Sequence, residues 1–150
     1  YNTIAARGKM VEPYLVQSVQ YEGRNVKLNG IKYLKEDVLS YRTCDTITRA
    51  LRENVLSGTA NRLRDARYPV AGKSGTSRQQ WYIKDGDAEG APGYTDKHGN
   101  HITAGTFVGF FPADEPKYSV ICVLESRPCH KIFYGSAIPA LAVKEVVNSL

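Results

Sequence analysis

The chain has 150 residues, 42% hydrophobic and 23% charged, with a formal net charge of +5 and an isoelectric point near 9.1. This balance suits a globular chain with one domain and one core. No run of 18 apolar residues reads as a transmembrane helix, and the basic residues are interleaved with acids without any nucleic-acid-binding motif, which argues against both a membrane span and a nucleic-acid partner.

The opening segment YNTIAARGKM has neither a signal-peptide core nor an initiator methionine, so the chain is expected to be a piece of a longer protein. Residues 1–7 read as a helix end, stopped by Gly8, with Pro13 shortly beyond. YLVQSVQYEGRNVKLN reads as a short hairpin. Leu15, Val19 and Tyr21 are strand-like, Glu22-Gly23 makes the turn, and Val26 and Leu28 alternate after it.

The next segment predicts a helix. Cys44, Ile47, Leu51 and Val55 fall on one face, while Arg49, Arg52 and Glu53 lie away from that stripe. Ser40 or Thr43 can cap its start, Asp45 suits the first turn, and Gly58 ends it. NRLRDAR, the densest basic cluster, reads as a solvated face.

RYPVAGKSGTS is expected to be a strand preceded by a proline. A long polar segment follows, Arg78 to Thr103, which is either functional or a disordered surface insertion. AGTFVGFFPADEPKYSVICVLES then gives the clearest hairpin, with ADEPK as its turn. Val108 and Phe110 alternate with Phe107 and Phe111, and Val120, Cys122 and Leu124 alternate with Ile121 and Val123. Both faces are apolar and both need cover. The expected fold is therefore α+β, an antiparallel sheet with helices on both faces. GSAIPALAVKEVVNSL supplies one such helix, with Ser136 as cap, Pro139 in the first turn and a buried stripe of Val143, Val146, Val147 and Leu150.

The three cysteines, Cys44, Cys122 and Cys129, have no C-x-x-C spacing. Cys129 beside His130, and His98 near His101, fit no common metal pattern, so neither a metal nor a cofactor is expected. Cys44 and Cys122 read as small buried hydrophobes.

VAGKSGTSRQ carries the chemistry. A Walker phosphate loop needs glycine five residues before its Gly-Lys-Ser, but Arg67 stands there, and SGTSRQQWYIKDGD is a poor helix start. Nucleotide hydrolysis is set aside on both grounds. A flexible turn remains open on the motif alone. Lys-Ser-Gly-Thr on an exposed strand is also the third motif of serine transpeptidases and serine β-lactamases.

The resemblance reaches further. IAARGKMVEPYLV resembles an Ile-Ala-Asn-x-Gly stretch with its following proline, and LRENVLSGTA a helix ending in Val-Val-x-x-Gly-Thr. VAGKSGTSRQ is similar to Ala-Gly-Lys-Thr-Gly-Thr, TFVGFFPADEPKYSVICVLE to a Phe-x-Gly-Phe-x-Pro strand pair, and YGSAIPALAVKEVV to a Tyr-x-Gly with its helix. Taken in order, these blocks resemble the C-terminal part of the transpeptidase domain of a class B penicillin-binding protein, the type that cross-links peptidoglycan in septal or elongation synthesis.

That resemblance implies one domain unit over residues 1–150, the C-terminal portion of the serine β-lactamase/transpeptidase fold. It implies that substrate lies along the motif strand as an added strand. Lys73 would place positive charge by the donor carboxylate and the nucleophile, and Ser74 and Thr76 would offer hydroxyls to that carboxylate. The Thr76 N–H would be one oxyanion donor, Gly75 would let the acyl donor approach closely, and Trp81 or Tyr82 would contact substrate or partner. No Ser-x-x-Lys or Ser-x-Asn occurs here, so the chain holds no nucleophile and is expected to be inactive alone. The intact parent would bind peptidoglycan stem peptides and β-lactams and work with the cell-wall synthesis machinery. It would sit at the cell envelope, on the extracytoplasmic face, through an anchor outside this chain. The chain alone would self-associate to cover its bare apolar face. A serine β-lactamase, a β-lactam sensor and a non-catalytic interaction module stand as alternatives.

Overall fold

Local chemistry sets the first elements. Helix α1 (Asn2–Ala5) ends before Gly8, whose φ of +100° suits glycine; a Cβ there would run into the Leu39 carbonyl. The turn expected at Glu22-Gly23 joins strands β2 (Ser18–Tyr21) and β3 (Arg24–Lys27), which pair antiparallel in register Val19 to Val26. Both central residues have positive φ, as a type I′ hairpin turn requires. Leu15 and Leu28 fall outside the strands. The short strands β1 (Met10–Val11) and β4 (Tyr33–Lys35) form a second antiparallel pair. In this computed structural model, residues 1–79, 100, 102–127 and 134–150 are described. They divide into two compact units, Tyr1–Thr48 and Arg49–Leu150.

Helix α2 runs Tyr41–Leu56. Ser40 caps it, its Oγ accepting the Thr43 N–H at 3.1 Å. With the cap at Ser40 rather than Thr43, Asp45 falls beyond the first turn. Cys44 and Val55 are fully buried, as the apolar stripe predicts, and Ile47 and Leu51 are partly so.

In the second unit, strands β5 (Ala71–Gln79), β6 (Ile102–Phe111) and β7 (Tyr118–Glu125) form an antiparallel sheet in the order β5–β6–β7. Strand pairing consumes both ends of the polar segment expected between Arg78 and Thr103, since Arg78 opposes Thr103 and Gln79 opposes Ile102. Phe107 opposes Cys122 and Gly109 opposes Val120, so these positions share a face with Phe111. That face, with Ala140, Val143 and Val147 of helix α3 (Ile138–Ser149), Val55 of α2, and Ala60, Leu63 and Val70, makes the core. The opposite face is buried at Ala71, Ala104 and Phe110, but Ile121 and Val123 on β7 are 69% and 52% exposed. Among the described residues, the cover of this second face thus stops short of β7.

The α3 expectation needs two corrections. Ala137, not Ser136, occupies the cap position, without a side-chain hydrogen bond. The buried stripe is Pro139, Ala140, Val143 and Val147, while Val146 and Leu150 are exposed. Pro139 and Ala140 in the first turn are buried, so the helix turns that flank inward and leaves 146 and 150 on its exposed side. In the basic cluster, Leu63 joins the core while Arg62 and Arg64 remain exposed. Cys44 is buried and Cys122 packs against the core, both as free thiols; Cys129, His98, His101 and His130 lie outside the described residues. Among the described residues no helix is long and apolar enough to cross a membrane.

Candidate active-site edge

The Lys-Ser-Gly-Thr motif lies on β5, at one edge of the sheet. Which of its groups face outward follows from strand alternation. A strand residue directs its N–H and C=O to one side, and the next residue reverses them. The Pro69 carbonyl accepts the Ala113 N–H at 2.7 Å, on the sheet side. The carbonyls of Val70 and Gly72 are instead taken by α2. Arg52 Nη1 donates to Val70 O at 3.2 Å, and Asn54 Nδ2 donates to Gly72 O at 2.8 Å. Gly72, Ser74, Thr76 and Arg78 therefore present their main chain to the outer edge, and the odd-numbered residues pair with β6. Among the described residues, the outward Thr76 N–H makes no intrachain hydrogen bond.

The side chains alternate as well, but by face. Ser74 and Thr76 point to the face that carries Phe107, and Lys73 and Gly75 to the other. Lys73 nonetheless returns to the edge. Its long stem bends so that Nζ donates to the outward Ser74 carbonyl at 2.7 Å. Lys73 and Thr76 are exposed, whereas Ser74 is only 9% exposed. The Ser74 hydroxyl meets Thr59 Oγ1 at 3.0 Å, and Thr59 Oγ1 donates to Asn54 Oδ1 at 3.1 Å. Thr76 Oγ1 accepts the Gly135 N–H at 3.1 Å, which leaves its own hydrogen to donate.

Two glycines here answer to packing. Gly72 opposes Gly109, and the bare backbone they leave lets the Phe107 ring lie across the strands. A Cβ on Gly72 would fall 2.7 Å from Val108 O and 3.0 Å from Phe107 Cε1. A Cβ on Gly75 would stand 2.6 Å from Thr106 Oγ1, so the sheet has its own reason for glycine at the motif's centre.

All four motif positions thus reach one edge or its two flanks, while Trp81 and Tyr82 lie outside the described residues. Sequence reasoning passed over Arg52, Asn54, Thr59 and Gly135. Arg52 lies away from the apolar stripe of α2 in the sequence, yet its guanidinium holds a strand carbonyl. The signals were that Arg52, Asn54 and Thr59 fall inside one block of family resemblance and Gly135 inside another. Among the described residues no cluster of three or more His, Cys, Asp or Glu side chains could hold a metal ion.

Comparison with known proteins bears on the family and the fold. Residues 1–148 match the penicillin binding protein transpeptidase domain. The chain is 26% identical over 163 residues to a peptidoglycan D,D-transpeptidase FtsI homolog of Mesostigma viride, covering 100% of this chain and 25% of that protein. It is 33% identical over 114 residues to stage V sporulation protein D of Bacillus subtilis, covering 76% of this chain and 16% of the relative. It therefore spans a quarter or less of the curated relatives it matches. The structure of PBPA from Mycobacterium tuberculosis superposes with a TM-score of 0.63 at 20% identity, over 98% of this chain and 29% of that one. The D,D-transpeptidase domain of a peptidoglycan glycosyltransferase from Eggerthella lenta gives 0.61 at 24% identity, over 99% and 31%. At these identities the superpositions bear on the fold alone, and the fold is the mixed α+β one with an antiparallel sheet. Taken with the match over nearly its whole length, the strand and its motif identify the chain as a member of the penicillin-binding protein transpeptidase domain family.

Proposed function

We propose that β5 is the substrate-binding edge of a serine D,D-transpeptidase site, completed in an intact parent by a Ser-x-x-Lys segment that this sequence does not contain. The carrying observation is the edge itself: the Lys73 ammonium is held at the outward Ser74 carbonyl, two residues from an outward Thr76 N–H. A stem peptide docks beside β5 as an added strand. Lys73 attracts its terminal carboxylate, and the Thr76 hydroxyl donates to it. The parent's serine oxygen bonds to the donor carbonyl carbon and its proton passes to a base. The resulting oxyanion accepts the Thr76 N–H, then collapses, and the C–N bond breaks as the proton goes to the leaving amine. An acceptor amine releases the acyl group in the second half. A β-lactam enters by the same first steps. Loss of one oxyanion donor typically costs about 3 kcal/mol of transition-state stabilisation, so the aim of this strand governs the rate.

The reading also puts the parent at the cell envelope, working with cell-wall synthesis proteins, and makes the isolated chain inactive. In the intact parent, Lys73→Ala should slow labelling by a fluorescent penicillin about 100-fold or more, a range usual for removing a transition-state electrostatic contact. Labelling at the unaltered rate would refute the role of this edge.

A further inference from the structure

The hydrogen bonds around Asn54 have only one consistent direction. The Gly72 carbonyl can only accept, so it requires the Asn54 amide as donor, at 2.8 Å from Nδ2. Asn54 therefore turns Oδ1 to Thr59, which gives it its single hydroxyl hydrogen at 3.1 Å. Thr59 has no second hydrogen, so in its 3.0 Å contact with Ser74 it must accept. The hydrogen of Ser74 is thus engaged within the chain, on a side chain 9% exposed. At the same time Asn54 and Arg52 close the outward carbonyls of Gly72 and Val70. The helix pattern of the family block runs Val-Val-x-x-Gly-Thr, and Asn54 stands at its first valine, so this relay is built by a residue that departs from the block's pattern.

We propose that Asn54 and Thr59 are positioning residues of the acyl-transfer edge, closing the strand's outward carbonyls as far as Gly72 and holding the Ser74 hydroxyl hydrogen, so that Thr76 is the strand's hydroxyl donor to the substrate carboxylate. This rests on the reading of β5 as the substrate edge, and it moves Ser74 out of the carboxylate-binding role its motif implies. An added strand then pairs from the Ser74 N–H onward, beyond the carbonyls that Arg52 and Asn54 hold and beside the Ser74 carbonyl that Lys73 Nζ holds, which sets the register that brings the scissile carbonyl to the Thr76 N–H.

The test compares acylation of the intact parent by benzylpenicillin and by its methyl ester, which lacks the carboxylate. Thr76→Val should lower the acid-to-ester ratio of second-order acylation constants about tenfold, as expected for losing a hydrogen bond to a charged group. Ser74→Ala should slow both probes alike and keep the ratio within about twofold of the parent's, because no carboxylate contact is lost. Thr59→Val should also slow both probes alike, and Thr59→Ser, which keeps the hydroxyl, should restore the rate. A fall in the ratio for Ser74→Ala as large as for Thr76→Val overturns the relay while leaving the substrate edge intact. A parent that does not distinguish acid from ester overturns the substrate edge itself. Ser74→Ala and Thr59→Ser are both small changes, so the comparison stands even if Thr59→Val does not fold.

Discussion

The chain contains two antiparallel hairpins of opposite character. In the β2–β3 hairpin every strand residue is exposed, including Val19, Tyr21 and Val26. In the β6–β7 hairpin, β6 buries Phe107, Phe110 and Phe111 almost completely. The first is specified by its turn, where positive φ at Glu22 and Gly23 matches the twist of the flanking strands. The second is specified by what it covers, and it serves as the platform on which β5 and its motif are laid. If β5 is the substrate edge proposed above, it needs the second kind of support, because the position of the Thr76 N–H then depends on a strand that does not shift.

Three substitutions measure that contrast. Phe107→Ala should have the largest effect, destabilising the 49–150 unit by about 3–5 kcal/mol through lost burial and a residual cavity. Chemical denaturation followed through this unit reads it; a loss under about 1 kcal/mol would erase the distinction between the hairpins. Gly23→Ala comes next. A Cβ there meets nothing within 4 Å, so the cost is that of the left-handed backbone alone, about 1–2 kcal/mol. Amide hydrogen exchange should quicken over Arg24–Lys27 and stay unchanged over β6. Asp65→Asn should have the smallest effect, although it lies in the well-buried unit. Lys144 Nζ donates to Asp65 Oδ1 at 2.8 Å, and this hydrogen bond, with the Lys144 charge, holds the carboxyl below its ordinary value. A depressed carboxylate contributes stability above its unfolded pKa, about 4, and loses it as pH falls through the folded value. The melting temperature of the Asp65→Asn variant should therefore lie only slightly below that of the unaltered chain at neutral pH. The gap should vanish in acid and in high salt, since the pair is exposed.

Much of the fold is legible because it is local. The Ser40 cap, the Glu22-Gly23 turn, the Gly8 stop and the alternation of β6 each depend on residues within a few positions. The motif strand and the family blocks are legible for the same reason. The face of α3 is not: Val146 and Leu150 satisfy the apolar spacing as well as Val147 does, yet only contact with Phe107 and Val120 decides that Ala140, Val143 and Val147 turn inward. The site divides in the same way. Lys73, Ser74, Gly75 and Thr76 could be named from the motif, but the faces they take and the partners they keep could not.

What the sequence determined by itself is the set of local choices: where the chain turns, which segments alternate, and where the Lys-Ser-Gly-Thr motif sits on a strand. The tertiary structure alone decided which outward groups of that strand are occupied. Val70 and Gly72 offer carbonyls that look like any others, and Arg52 and Asn54 look like the polar side of a helix. A polar side chain satisfies whichever backbone group packing leaves unpaired beside it, and that is settled only when helix and sheet meet.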